Sequence, residues 1–596
     1  MTVYRAPVRE MQFLLDDVLK IDRYDNMPSF SEAPRDVRTA ILSEAARLSE
    51  EILHPLNARG DLDGCTRHPD GSVSAPKGFG DAFGQLGEGG WIGLSAPTQY
   101  GGQDLPSTIS CAVGEMFSSS NMALEMFSGL TRGAVTALLA HGSEEQKKLY
   151  VPKMLAGRWT GTMNLTEPQC GTDLGMMRTK ASVQADGTYH ITGTKIFISG
   201  GEQDMTENIV HLVLARIEGA PSGIKGVSLF VVPKRLVNQD GTLGQKNSVS
   251  CGSIEHKMGI HGNPTCVLNF ENAVGWLVGR ENKGVEAMFV MMNEARLGVG
   301  LQAMALSEIA YQNAANYAKE RLQGRAIGFA AHPDKPADPI IVHPDVRRTL
   351  QQIRAFNEGA RALILFTALR NDVAHRSNDA ALKEATEDYL GLLTPVIKGA
   401  LTDWGFAGTV SAQQLFGGHG FIVETGAEQF VRDARITMLY EGANGIQALD
   451  LVARKLPRNN GRAIQAFIGE LDHFIEENAK QVSLARAVSA LQDAASDLKS
   501  ATDKLLKLAM KDPNDAIAGS TDFMHLVGLV SLGYMWCLMI KAAQEKIEAG
   551  DTSKYLATKL STGSFFLERI LPETALYLRR ISIGGKDIVD VPADAF

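Results

Sequence analysis

Between Thr160 and Lys283 the sequence changes character, and that change limits what the chain can fold into. On either side of the interval, apolar residues recur at helical spacing. Val37 to Leu53 and Ile109 to Leu139 repeat them at three and four, and the same period returns at Gly284 and runs to Leu456. Within the interval, Ala181 to Thr194, Val210 to Arg216, Gly226 to Val232 and Thr265 to Phe270 are short, β-branched and alternating. Asp-Gly and Gly-Thr turns join them. The order of textures is α, β, α, with no strand–helix alternation, which argues against a doubly wound sheet and for an α+β, mostly helical fold. The reading divides the chain into a helical region over 1–159, an antiparallel β domain over 160–283 and a second helical region over 284–456. Beyond the linker composition of Pro457 to Gly461 a further helical region runs over 457–596.

Local signals sharpen these boundaries. Gly87 to Gly102 is a glycine-rich break in the first region. Ser143 with Gln146 three residues on reads as a capping box that starts a helix. Ala330 to His343 is proline-rich and predicts a loop. The 596 residues exceed what one core holds. A net charge of −9 with interspersed signs carries no overall nucleic-acid footprint. The six cysteines show neither a CxxC nor a Cys/His ligand spacing, so no disulfide framework or metal site is expected, and a reducing, cytoplasmic setting is. MTVYRAPVREMQF lacks the apolar core of an export signal. Phe523 to Ile540 has eighteen residues without a formal charge, long enough for a membrane span, but it carries His525 and no flanking basic cluster, so a buried bundle helix is expected.

Four stretches carry chemistry. Gln414 to Gln447 begins with Gly417, Gly418 and Gly420, where a backbone can lie close to a ligand. It ends on Glu441 behind the uncharged run Ile436 to Tyr440, which predicts a partly desolvated carboxylate suited to acid–base work. Thr166 to Asp173 (TEPQCGTD) is a polar turn whose hydroxyls and N–H groups suit a heterocycle or a phosphate. In Gly193 to Gly201 (GTKIFISGG), strand alternation puts Phe197 and Ser199 on one face. Gly298-x-Gly300-x-x-Ala303 matches the dinucleotide fingerprint in letters, but it follows a helical pattern where that fingerprint needs a strand. Its small residues are read instead as points of close helix approach.

In this order and spacing the stretches resemble the acyl-CoA dehydrogenase family, over about Leu42 to Lys455. TEPQCGTD is similar to the family's TEPxxGSD and GTKIFISGG to its GxKxWITNG. HKMGIHGNPTCVLNFENA is similar to KLGxRxSxTxxLxFEDV, and QLFGGHGF with VRDARITMLYEGANGIQ to the signature containing YEGT. The resemblance implies a helical domain, a β domain and a four-helix bundle, here with an added helical extension. It implies FAD held by Thr166, Gly171, Phe197 and Ser199. Arg321, Gln414, Gly417 and Gly418 would reach the FAD of a neighbouring subunit, hence at least a dimer. Thr172, Arg296, Tyr440 and Gly442 would meet the acyl-CoA, and Glu441 would be the base that removes its α-proton. Relatives that keep their base elsewhere have it where this chain has Ala295. Glu294 is adjacent, but one residue turns a helix by about 100°. The carbonyl would be polarised by the N–H of Glu441 and a ribityl hydroxyl of the cofactor, and the electrons would pass to electron-transfer flavoprotein.

The chain departs from the family pattern at Ala443 (Thr in the family), Phe197 (Trp), Gly200-Gly201 (Asn-Gly) and after Arg321, where the usual phenylalanine is missing. Its two ends resemble a longer branch of the family. That branch implies 3-methylthiopropanoyl-CoA, an intermediate of dimethylsulfoniopropionate breakdown, or else a medium- or long-chain acyl-CoA as substrate. Another branch is associated with DNA in an alkylation response, which requires a basic face. The extension from Leu456 onward has sixteen basic and eighteen acidic side chains, which weighs against that reading. A membrane-associating role for Phe523 to Ile540 is the third alternative.

Overall fold

A computed structural model describes residues 2–596, which form two compact units, Glu44–Gly298 and Met1–Ser43 with Val299–Phe596. In the first unit the long helix α1 (Ser107–His141) is interrupted at Asn121, whose backbone leaves helical geometry at φ −160° and ψ 86°. The Asn121 side chain restarts the helix by accepting from Leu124 N at 3.1 Å while donating to Leu53 O at 3.2 Å. The capping box forms as read, with Ser143 Oγ accepting from Gln146 N and Gln146 Oε1 from Ser143 N.

Seven of the strands that follow form one sheet: β1 (Trp159–Asn164), β2 (Lys180–Val183), β3 (Tyr189–Ser199), β4 (Asn208–Ile217), β5 (Val227–Pro233), β6 (Val249–Ile254) and β7 (Thr265–Val278). They pair in the order β6-β7-β3-β2-β4-β1, and β5 closes the sheet by pairing with both β7 and β4. The sheet is mixed rather than wholly antiparallel, because β4 lies parallel to both β1 and β2. β4 is buried on both faces. Val210, Leu212 and Leu214 join a core with α1 residues such as Ala134 and Leu138, and Val213, Ala215 and Ile217 join one with Ile191, Phe230 and Phe270. A two-residue ladder, Thr66–Arg67 with Val73–Ser74, adds strand to a region read as all helical.

In the second unit α3 (Pro344–Arg376) and α4 (Ala380–Leu415) pack on one another, α5 (Asn444–Asp450) packs on α4, and the later part of α2 (Gly284–Glu320) meets α4 where Gly300 approaches Ile397. The Gly298-x-Gly300-x-x-Ala303 segment is helical throughout. A Cβ on Gly300 would lie 2.7 Å from Ile397 Cγ2, so this glycine serves helix contact, as the sequence predicts. The extension supplies α6 (Ser520–Glu548) and α7 (Lys554–Arg569), both packed on α3. By length and composition α6 is apolar enough to span a membrane, but its most apolar window is 89% buried in the fold. Its Trp536 is fully buried and donates from Nε1 to Ala355 O at 3.0 Å, and truncation of such a side chain costs about 3–5 kcal/mol. Lys559 of α7, also fully buried, binds the carboxylates of Glu10 and Glu358 among the rings of Phe13, Trp536 and Tyr555.

Candidate active site

In the first unit the turn Thr166–Asp173 and strand β3 are joined by a buried ion pair. Lys195 Nζ lies 2.8 Å from Glu167 Oε1 and also donates to Leu165 O at 3.0 Å. Glu167 further accepts from the backbone N–H groups of Arg178 (2.7 Å) and Thr179 (3.0 Å), and Ile196 N donates to Thr166 O at 2.9 Å. Burial opposes the charge on Glu167, but Lys195 and these donors outweigh it and hold the carboxyl down to about 2. Burial lowers the Lys195 ammonium, which opposes the pair. The donors converging on Glu167 decide for the charged form. The turn is thereby fixed while Gly171 and Thr172 stay exposed and Thr166 partly so.

The next residues of β3 break the strand's alternation. Cys266 faces Ile198 and Leu268 faces Lys195, so Ile196 and Phe197 together oppose Val267 in a bulge. Phe197 takes φ 60° and is 59% exposed, whereas Lys195, two residues back, is fully buried. Simple alternation therefore fails between Lys195 and Phe197, while beyond the bulge Ile198 is buried and Phe197 and Ser199 are both at least partly exposed. The bulge turns the aromatic ring outward instead. An exposed flat ring near partly exposed hydroxyls at Thr166 and Ser199 fits the face and the ring heteroatoms of a flavin. Arg296 is partly buried, with its guanidinium 5.8 Å from the Phe289 ring centroid. Glu294 is exposed, and its carboxyl interacts with Thr136 and Arg132. Arg132 is itself paired with Glu125. This cluster escaped the sequence reading because no local spacing announces it.

In the second unit, two of the predicted groups lie near one another. Tyr317, one turn before Arg321 on α2, stacks on Phe416 at 4.6 Å between centroids and bonds His419 Nδ1 at 3.0 Å, which brings the end of α2 to the glycine turn after α4. Arg321, Gln414, Gly417 and Gly418 are all exposed there, and open space lies where either glycine would carry a Cβ.

Glu441 itself is half-buried in the left-handed region at φ 56°. Strain of this kind persists only where the surroundings impose it, and here they do. Tyr440, just before it, donates from its hydroxyl to Gln302 Oε1 of α2. Burial, then the negative charge of Glu441 and Asp433, push the Tyr440 hydroxyl well above its usual range. Gln447 Nε2 donates to the carbonyls of Glu441 and Gly442 at 3.3 Å each. Asn444 Nδ2 donates to Asp403 Oδ1 at 2.7 Å and Thr402 Oγ1 at 2.9 Å, and its carbonyl accepts from Lys398 Nζ at 2.8 Å. The uncharged run ahead of Glu441 does not simply cover it, since Leu439 is exposed. Asn444 and Gln447 were within reach of the sequence, being polar residues inside ANGIQ. Gln302, Lys398 and Asp403 were not.

Four family models match in chain order: acyl-CoA dehydrogenase, N-terminal domain over 65–158, middle domain over 162–273 and C-terminal domain over 282–456, then acetyl-CoA dehydrogenase C-terminal like over 467–592. A 3-methylmercaptopropionyl-CoA dehydrogenase of Ruegeria pomeroyi is 41% identical, over 98% of this chain and 99% of that one. The chain belongs to the acyl-CoA dehydrogenase family. A broad-specificity linear acyl-CoA dehydrogenase, FadE5 of Mycobacterium tuberculosis, is 35% identical over 100% of both chains. A Bacillus anthracis acyl-CoA dehydrogenase, solved with FAD, shares the fold at TM-score 0.74 and 21% identity, over 92% of this chain and 88% of that one. As a family member the chain is an FAD-dependent oxidoreductase acting on an acyl-CoA thioester.

Proposed function

We propose that this acyl-CoA dehydrogenase desaturates 3-methylthiopropanoyl-CoA to 3-methylthioacryloyl-CoA with Glu441 as the base. The observation that carries the base assignment is the strained, multiply clamped loop that presents Glu441. The substrate rests on the 41% identity, nearly end to end, to an enzyme named for that thioester. Bound FAD supplies the two-electron acceptor for the hydride that leaves Cβ. The Glu441 carboxylate takes the proton from Cα, so that the Cα–H electron pair becomes the new double bond as the Cβ–H pair departs. The Glu441 N–H polarises the thioester carbonyl as enolate charge develops. Thr166, Gly171, Phe197 and Ser199 hold the cofactor. Thr172, Arg296, Tyr440 and Gly442 meet the substrate.

The test is anaerobic flavin bleaching of purified holoenzyme with 3-methylthiopropanoyl-CoA and straight-chain thioesters from butanoyl to hexadecanoyl. Fastest bleaching by the sulfur-containing thioester supports the reading. Faster bleaching by a longer straight chain replaces it with the medium- or long-chain alternative, which the FadE5 likeness favours. No bleaching by any thioester overturns it.

The assembly reading is that Arg321, Gln414, Gly417 and Gly418 reach the cofactor of a second subunit in a cytoplasmic dimer or tetramer, with electron-transfer flavoprotein as acceptor. The exposure of all four residues, beside Phe421 at 85% exposed, supports it. Arg321→Ala is expected to lose FAD on gel filtration. Flavin content equal to the unmodified protein would count against a shared cofactor.

A further inference from the structure

Helix α6 packs on α4, and a polar contact joins them. His525 Nε2 lies 2.8 Å from Asp403 Oδ2, and the other oxygen of that carboxylate accepts from Asn444 Nδ2 at 2.7 Å. Asn444 opens α5 three residues after Glu441. One carboxylate thus bridges an imidazole of the extension and the amide that closes the Glu441 loop. The imidazole is itself located by Trp404 and Tyr577, with ring centroids 5.5 and 5.6 Å away. Glu573 also acts on it from the extension. Beside this bridge α4 and α6 touch closely. A Cβ on Gly399 would lie 2.2 Å from Met524 Sδ, and Gln447, which holds the Glu441 carbonyl, comes within 3.6 Å of the same point.

A carboxylate held by one donor can turn about its own axis, whereas a second donor on its other oxygen fixes the plane. Asp403 has those two donors, one on each oxygen, and in sequence they come from either side of the linker at Pro457 to Gly461. We propose that His525 is a positioning residue for the dehydrogenation, orienting Asp403 so that Asn444 sets the start of α5 and with it the approach of Glu441 to the α-proton. The extension is on this account part of the support of the base. The proposal rests on the assignment of Glu441 as that base.

The experiment compares His525→Phe, His525→Gln and Glu441→Gln holoenzymes with the unmodified enzyme. Phenylalanine keeps a ring between Trp404 and Tyr577 without a donor, and glutamine restores a donor at similar reach. Anaerobic rapid mixing follows flavin reduction by the fastest-bleaching thioester, 3-methylthiopropanoyl-CoA on the reading above, and by its α-dideuterated form. FAD content, melting temperature and half-saturation are recorded alongside. Misplacement of a reacting group by about 1 Å costs on the order of a hundredfold. His525→Phe is therefore expected to retain FAD and half-saturation while its reduction rate falls about ten- to a hundredfold. Its α-deuterium isotope effect should rise, and His525→Gln should recover most of the rate. Normal reduction by His525→Phe beside an inactive Glu441→Gln overturns the proposal alone, as does an equal loss in His525→Phe and His525→Gln. Normal bleaching by Glu441→Gln overturns the base assignment and the proposal with it. If His525→Phe does not purify with FAD, His525→Leu is measured in its place.

Discussion

Glu167 and Glu441 both stand in functional motifs, yet the protein surrounds them in opposite ways. Glu167 is buried against Lys195 and takes two backbone N–H groups, so its lone pairs are committed to structure. Glu441 is half-buried, and the contacts described above fall on its backbone and neighbours. Gln447 holds the carbonyls of Glu441 and Gly442, Gln302 holds Tyr440, and Asp403 holds Asn444. A carboxylate saturated with donors stays charged and fixes a turn. One whose chain is fixed from behind is suited to exchange a proton.

The sharpest way to break this comparison is to remove each carboxylate's charge. Glu441→Gln is expected to keep its fold and FAD but to lose about a hundred- to ten-thousandfold in flavin reduction, the usual contribution of a general base. Reduction within a few-fold of normal would return attention to Glu294. Glu167→Gln should behave in the reverse manner, with a loss of about 3–5 kcal/mol in stability because Lys195 is left buried and uncompensated. Its melting temperature and FAD content report this, and an unchanged melting temperature would remove the ion pair from its structural role. The same pair predicts a pH dependence. Folding depresses the Glu167 carboxyl from 4.5 to about 2, so its stabilisation is fully present above about 4.5 and is lost as pH falls through 2. Acid unfolding of the unmodified protein should therefore steepen in that window, and the Glu167→Gln protein should lack this component. The smallest effect is expected of Tyr440→Phe, which removes one hydrogen bond worth about 1 kcal/mol and should slow reduction by a few-fold. A loss as large as that of Glu441→Gln would make the Tyr440 hydroxyl part of the chemistry.

The motifs of the two units also differ in how they could be read from sequence. The turn and strand motifs of Glu44–Gly298 stand out because their parts are contiguous. TEPQCGTD and GTKIFISGG each present a turn or strand end whose residue types suit a flavin, and the ion pair that joins them uses the Glu of one and the Lys of the other. The bulge at Phe197 was not legible, because a two-residue periodicity does not record where a partner strand shifts register. In the second unit only Glu441 and its near neighbours stand out in sequence. Gln302, Lys398 and Asp403 converge on it from α2 and α4, and nothing in their local sequence marks them, since polar residues on long helices are ordinarily solvent-facing. The helical textures and the loop at Ala330 to His343 follow from strong local signals. The parallel pairings of β4 depend on non-local closure of the sheet.

The buried contact of Lys559 with Glu10 joins residues 549 positions apart in the chain. During synthesis, Glu10 leaves the ribosome long before the lysine that neutralises it exists. The unit containing both can complete its core only when nearly the whole polypeptide has emerged, whereas Glu44–Gly298 has all its strands and helices available earlier. Nascent chains should therefore acquire protease resistance in Glu44–Gly298 first, with the helices around α3 and α7 following at the end of translation.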